Sequence, residues 1–133
     1  MILASRDHVF VIDDEEDTLN LVRLVLERKR FRVTTARTWN EIIDCARANY
    51  VADEPFNVIV LDLMMPERSG FDVLLALQTM IFPLPPVIVL SAITDFRKQI
   101  KAKELGATRY LTKPTTPEKL VQIIKEVLLE AEI

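Results

Sequence analysis

The feature that most constrains this chain of 133 residues is a repeated alternation between short apolar segments and longer amphipathic ones. The apolar segments predict strands, and the first, third and fourth are continuously apolar, as in strands covered on both faces. The second is mixed in character and predicts an edge strand. The predicted strands cover residues 8–13, 31–35, 57–62, 86–91 and 107–112.

Helices are predicted between these strands from the spacing of their apolar residues. They cover residues 16–29, 39–49, 70–80 and 95–105, and the last helix begins at Pro117. The fourth is expected to bury Phe96, Ile100 and Leu105, and Gly106 follows it where a left-handed cap is favoured.

Alternating strands and helices predict a parallel sheet with right-handed crossovers, that is, a doubly wound α/β fold. Five strand and helix units fill the length of the chain. The sequence therefore predicts one domain over residues 1–133, with a core of about residues 7–131.

Charged residues stand at the carboxyl ends of three predicted strands. Asp13 and Asp14 follow the first strand, Asp62 ends the third, and Lys113 follows the fifth. In an open parallel sheet these ends share one edge, where ligands bind. Each charge alone would be read as an ordinary turn or cap residue. Together they predict a pocket for a divalent cation and a phosphoryl group.

Magnesium suits this set because it prefers hard oxygen ligands and uses few protein carboxylates. The carboxylates of Asp13, Asp14 and Asp62 are the candidate ligands, and the backbone carbonyl of Met64 is a fourth. Manganese is a plausible substitute, and no organic cofactor is expected. Asp62 would act as a nucleophile that forms an aspartyl phosphate.

Two polar groups could hold the phosphoryl oxygens. Lys113 is a point charge with a long reach. Ser91 closes the fourth strand and places a hydroxyl at the same edge.

The composition excludes several other classes. A formal net charge of −3 argues against a domain that binds nucleic acid directly. Cys45, the single cysteine, cannot form an internal disulfide. The N-terminal residues lack the apolar segment of a signal peptide, and no run is long enough to span a membrane. A soluble cytoplasmic protein is expected.

The ordered motifs of the chain resemble those of the response-regulator receiver domains of two-component, or phosphorelay, signalling, over nearly the whole length. The matching segments are Val-Ile-Asp-Asp-Glu at 11–15, Val-Leu-Asp-Leu-Met-Met-Pro at 60–66, Val-Leu-Ser-Ala at 89–92 and Tyr-Leu-Thr-Lys-Pro at 110–114. The resemblance implies a flavodoxin-like sheet of strand order 2-1-3-4-5 with five helices.

The resemblance also assigns roles to the residues of the predicted pocket. It implies that Asp13 and Asp14 help to hold magnesium. Asp62 would take a phosphoryl group from a phosphohistidine of a sensor histidine kinase or phosphotransfer protein, and Ser91 and Lys113 would grip that group. Ser91 would also act as a switch residue.

Further implications concern output. Tyr110 matches the family's switch aromatic, which turns inward on phosphorylation. The fourth helix, fifth strand and fifth helix would form the face that changes, contacting a downstream effector, an attached output domain or a second copy of the chain. Such a domain catalyses its own phosphorylation and dephosphorylation and has no separate substrate.

The residues flanking the expected phosphoryl group are apolar. Met64 stands two residues after Asp62, and Ile93 two residues after Ser91. Neither can orient an attacking water, so slow hydrolysis of the phosphorylated form is expected.

Three other functions share part of this pattern. A phosphatase of the haloacid-dehalogenase type would carry its nucleophile after the first strand, with two acids two residues apart. A flavin binder would need glycine-rich or hydroxyl-rich phosphate loops, but this chain has only Gly70 and Gly106. The remaining alternative is a receiver-like protein-interaction module that works without phosphate.

Overall fold

A computed structural model describes residues 7–66 and 68–132 of the chain. Most of the N-terminal segment considered for a signal peptide therefore lies outside the described residues. Strands and helices alternate throughout. The strands are β1 (His8–Ile12), β2 (Arg32–Ala36), β3 (Val58–Leu61), β4 (Val87–Ser91) and β5 (Arg109–Thr112). The helices are α1 (Glu16–Arg28), α2 (Trp39–Asn49), α3 (Gly70–Met80), α4 (Phe96–Glu104) and α5 (Pro117–Ala131).

All five strands are parallel and lie in the order β2-β1-β3-β4-β5. The doubly wound α/β fold and its implied strand order are thus confirmed. Every residue of β1, β3 and β4 is buried, and β2 is a partly exposed edge strand, as predicted.

The side chains of each strand alternate between two cores because successive residues point to opposite faces of a sheet. Phe10 and Ile12 pack with α2, α3 and α4, whereas Val9 and Val11 pack with α1 and α5. Four helices carry a hydroxyl or carboxylate cap that accepts a backbone N–H. The capping residues are Thr38, Ser69, Asp95 and Thr116, for α2 to α5 respectively.

The prediction for the buried face of α4 is wrong for Phe96 and Ile100, whereas Leu105, just after the helix, is partly buried against the core. Phe96 and Ile100 are 72% and 41% exposed, and the buried residue of this helix is Ala102. A small alanine lets the short helix lie close to its neighbours, so the larger apolar residues project outward. Gly106 does end α4 with a positive φ of 109°, as predicted.

Candidate functional site

The sheet brings the predicted site residues to one edge through its own hydrogen-bond ladder. The backbone N–H of Asp62 donates to the carbonyl of Ile12 at 3.0 Å, and that of Lys113 donates to the carbonyl of Ser91 at 2.8 Å. The backbone N–H of Asp13 donates to the carbonyl of Ala36 at 3.2 Å. The backbone positions of Asp13, Asp62 and Lys113 are therefore fixed by pairing with neighbouring segments.

Three polar side chains at this edge share one local device. The side-chain oxygens of Asp13, Asp62 and Ser91 each accept the backbone N–H two residues further along the chain. The distances are 3.0 Å from Glu15 to Asp13 Oδ1, 2.9 Å from Met64 to Asp62 Oδ1 and 3.2 Å from Ile93 to Ser91 Oγ. Aspartate and serine commonly form such turns, and here the turns orient the three side chains.

The second carboxylate oxygens of the two buried aspartates face the same amine. Lys113 Nζ lies 3.4 Å from Asp13 Oδ2 and 3.2 Å from Asp62 Oδ2. Asp13 and Asp62 are only 3% and 6% exposed, so both carboxylates are largely removed from water. The amine thus bridges strands that are far apart in sequence.

The pKa values of this group reflect competition between burial and charge. Burial raises the pKa of Asp13, aided by repulsion from Asp62 and opposed by the Glu15 N–H and by Lys113. Burial alone would lower the pKa of Lys113, but attraction to Asp13 and Asp62 outweighs it and leaves that pKa above its ordinary value. The lysine therefore remains an ammonium at neutral pH.

Asp14 completes a cluster whose donor set fits a divalent cation. One carboxylate oxygen from each of Asp13, Asp14 and Asp62 lies within 4.8 Å of the others. Three carboxylates and one ammonium leave a formal charge of −2, and all the side-chain donors are the hard oxygens that magnesium prefers. For Met64, the described contact is its N–H bond to Asp62, so its carbonyl as a ligand stays a prediction.

The start of α3 explains how the segment after Asp62 is held. The Gly70 N–H donates to the carbonyl of Leu63 at 2.9 Å. A Cβ at this position would lie 2.4 Å from Leu63 Cα, so only glycine permits the approach. The glycine therefore fixes the backbone next to the central carboxylate.

Tyr110 lies on β5, the strand next to β4, and is half-buried and packed against the core. Its hydroxyl donates to the carbonyl of Ile93 at 2.7 Å, in the same segment whose N–H donates to Ser91. The predicted switch pair is therefore connected through the segment after β4. Burial raises the pKa of the Tyr110 phenol above its ordinary value.

Arg37 is a neighbour of the acidic cluster that the strand-end argument missed. Its Nε donates to the Asp14 carbonyl at 3.3 Å. Arg37 follows the exposed edge strand and reaches the cluster through a backbone group, so no pattern of apolar residues or carboxylates could reveal it.

Comparisons with known proteins show the family of this chain. The family "Response regulator receiver domain" matches residues 9–125, and the chain belongs to that family. It is 41% identical over 106 residues to the transcriptional regulatory protein KdpE of Mycobacterium tuberculosis, covering 80% of this chain and 44% of KdpE. It is 35% identical over 129 residues to the protein PetR of Rhodobacter capsulatus, covering 96% of this chain and 51% of PetR. The chain thus spans about half the length of these curated relatives.

Solved structures show the same fold. A CheY-like receiver domain protein from Methanospirillum hungatei matches with a TM-score of 0.85 and 25% identity, covering 96% of this chain and 98% of that one. The chemotaxis protein CheY4 of Vibrio cholerae matches with a TM-score of 0.79 and 30% identity, covering 92% and 99%. The chain is therefore a response-regulator receiver domain of the two-component type. Within its described residues, no helix has the length and hydropathy needed to cross a membrane.

Proposed function

We propose that this domain is a phosphoacceptor switch in which Asp62 receives a phosphoryl group from a phosphohistidine. The donor would be a sensor histidine kinase or a phosphotransfer protein. The observation that carries the proposal is the convergence of three carboxylates and one ammonium at one sheet edge. The excess negative charge of this cluster suits a divalent cation, and its central carboxylate suits nucleophilic attack.

In the transfer, a carboxylate oxygen of Asp62 bonds to phosphorus as the bond from phosphorus to the imidazole nitrogen breaks. The electron pair of that bond stays on the imidazole, so the atoms and charge balance. Asp13, Asp14 and Asp62 would hold Mg²⁺, or Mn²⁺ in its place, which neutralises phosphoryl oxygens when bound. Lys113 and the Ser91 hydroxyl would contact the remaining phosphoryl oxygens. The domain would then catalyse its own dephosphorylation and act on no separate substrate.

Two side chains support a long lifetime for the phosphorylated form. Met64 is exposed beside Asp62, and Ile93 is half-buried against the core. Because neither offers a polar group to an attacking water, hydrolysis should be slow. Rapid decay that polar substitutions at both positions leave unchanged would contradict this.

The output would pass through Ser91 and Tyr110 to the face formed by α4, β5 and α5. The exposed Phe96 and Ile100 lie beside Tyr110 around a groove of about 250 Å³. An exposed apolar pair of this kind favours a protein partner, which would be a downstream effector, an attached output domain or a second copy of the chain. We assign the domain no direct nucleic-acid contact, and we place it in the cytoplasm.

The direct test is the intact mass of the protein after incubation with acetyl phosphate, with and without magnesium. We expect one phosphoryl adduct that requires magnesium and is lost in Asp62→Asn. Asp44→Asn is a matched control because Asp44 is an exposed aspartate on α2, away from the sheet edge. A folded wild-type protein that binds magnesium but forms no adduct would instead support the phosphate-independent interaction module.

A further inference from the structure

We propose that Arg37 is a positioning residue for the cation-binding turn, which we define as residues 13–15. This inference rests on the proposed function, in which Asp13 and Asp14 of this turn hold a divalent cation. Arg37 would act through the backbone of Asp14 and would touch neither the cation nor the phosphoryl group. The structure supports the assignment in three steps.

First, the cation-binding turn lacks the N-cap bond found at the other helices, although the Asp13 carboxylate does accept the Glu15 N–H within the turn. It leads directly into α1, whose N-cap residue Glu15 makes no side-chain cap, whereas α2 to α5 each have one. The Glu15 carboxylate instead accepts the Thr18 hydroxyl at 2.7 Å. A turn that carries two cation ligands therefore needs another constraint.

Second, Arg37 supplies a constraint from outside the turn. Its Nε lies 3.3 Å from the Asp14 carbonyl, and another guanidinium nitrogen lies 3.4 Å from Glu16 Oε2. One rigid, planar guanidinium thus spans the turn and the first residue of α1. The preceding residue acts on the same turn, because the Ala36 carbonyl accepts the N–H of Asp13 at 3.2 Å. Two consecutive residues therefore hold two consecutive acids.

Third, Arg37 is itself well anchored. Its backbone N–H donates to Glu41 Oε1 at 3.0 Å, and the Glu41 N–H donates to the Thr38 hydroxyl at 3.2 Å. This reciprocal arrangement caps the first turn of α2 and resembles a capping box. The guanidinium therefore extends toward the cation-binding turn from a fixed helix terminus.

Geometry and charge predict opposite effects for Arg37. A positive charge near a cation site repels the cation, so its removal would strengthen binding. The side chain is 46% exposed and pairs with Glu16, so water and that carboxylate reduce the repulsion. We therefore expect the positional effect to dominate, and the loss of Arg37 to weaken cation binding.

The test measures Mn²⁺ binding from the electron paramagnetic resonance signal of free Mn²⁺. For Arg37→Ala we expect about a tenfold rise in the Mn²⁺ Kd, the low end for partners outside the first coordination shell. Arg37→Lys keeps the charge but lacks the Nε donor, and it should follow Arg37→Ala. Glu16→Gln removes the carboxylate that offsets the Arg37 charge and leaves the contact with the Asp14 carbonyl in place, and its Kd should stay within about twofold of wild type.

Other outcomes would overturn the inference. Tighter binding in Arg37→Ala, or weaker binding in Glu16→Gln with a normal Kd in Arg37→Lys, would show that charge decides the effect. Equal binding in all four proteins would remove Arg37 from the site. If the wild type binds no Mn²⁺, the proposed cation site itself fails, which separates that failure from failure of the Arg37 assignment.

A second readout separates positioning from folding. The metal-free midpoint of thermal unfolding should be nearly the same for the wild type and both Arg37 variants. In phosphorylation by acetyl phosphate, the Mg²⁺ concentration for half the maximal rate should rise, and the rate at saturating Mg²⁺ should stay close to wild type. A reduced saturating rate with an unchanged half-maximal concentration would contradict the inference.

Discussion

The carboxyl ends of the strands form one edge of the sheet and their amino ends form the other. These two edges differ in how their buried polar groups are satisfied. At the carboxyl edge, Asp13 and Asp62 are buried and share a single ammonium, that of Lys113. At the amino edge, His8 is 5% exposed and both of its ring nitrogens are hydrogen-bonded. The carboxyl edge keeps more negative charge than its ammonium balances. At the amino edge, the ring nitrogens of the buried histidine both have partners within the protein.

The amino edge is a junction of three segments. His8 Nδ1 lies 2.6 Å from the Glu54 carbonyl, and Nε2 lies 2.6 Å from the Thr34 hydroxyl. A carbonyl can only accept, so Nδ1 carries the proton and Nε2 accepts from the hydroxyl. The ring also meets Phe56 edge-on, with centroids 4.8 Å apart. His8 therefore ties β1 to β2 and to the segment before β3.

This contrast assigns stability to one edge and ligand binding to the other. A satisfied, buried network stabilises the fold, whereas uncompensated buried charge costs free energy that a bound cation recovers. Changes at the amino edge should therefore alter the free energy of unfolding without altering phosphorylation. Changes at the carboxyl edge should alter phosphorylation, and removal of a buried charge there should stabilise the metal-free protein.

The largest expected stability effect is that of His8→Ala. It removes a buried ring and leaves the Thr34 hydroxyl and the Glu54 carbonyl without their partner. We expect a loss of about 3 kcal/mol in the free energy of unfolding, measured by urea denaturation. Phosphorylation of the folded fraction should be unchanged. The control is Asp53→Ala, at an exposed position next to Glu54 in the segment before β3. A loss below about 1 kcal/mol in the free energy of unfolding would contradict the stabilising role of the His8 network.

A smaller effect of opposite sign is expected at the carboxyl edge for Asp13→Asn. Because the folded state raises the pKa of Asp13, its charged form destabilises the fold at neutral pH. The amide keeps the shape and removes the charge. The metal-free protein should gain on the order of 1 kcal/mol, while its Mg²⁺ affinity falls sharply. Measuring unfolding with and without Mg²⁺ checks both parts, and a destabilised metal-free variant would refute the idea of excess charge.

The sequence was sufficient to predict the sheet and the placement of its polar edge, for a physical reason. Short apolar runs that alternate with amphipathic segments favour the strands of a parallel sheet, and parallel strands end at a common edge, so Asp13, Asp62 and Lys113 were expected to meet. The resemblance to receiver domains supplied the strand order and the functional roles.

What the sequence could not predict depends on tertiary partners. Periodicity identified an apolar stripe on α4 but could not show that Ala102 would face the core in place of Phe96 and Ile100. It also gave no sign that Arg37 would reach the Asp14 carbonyl, since that bond joins two loops. The contacts of His8 with Thr34 and Glu54 were likewise not predicted, because they join segments that are distant in sequence.

The smallest expected effect is on the pH dependence of stability, where the two edges again differ in sign. Burial lowers the pKa of His8 below 6.5, aided by the Arg32 charge and opposed by the Glu54 carbonyl and carboxylate. His8 therefore binds a proton more readily in the unfolded chain than in the folded one. The stability from neutral His8 is complete above about pH 6.5 and is lost as the pH falls toward the folded pKa.

Urea denaturation of the metal-free protein at pH values from 7.5 to 5.5 measures this dependence. One proton limits the contribution of His8 to a slope of about 1.4 kcal/mol per pH unit. His8→Gln, which cannot titrate, should flatten the decline. Asp13 acts oppositely, because its protonation relieves the folded state as the pH falls through its raised pKa. Asp13→Asn should therefore remove this gain in stability from the pH profile. If His8→Gln retained the wild-type slope, another group would account for the pH dependence. Protonation of His8 would then have no effect on the free energy of unfolding.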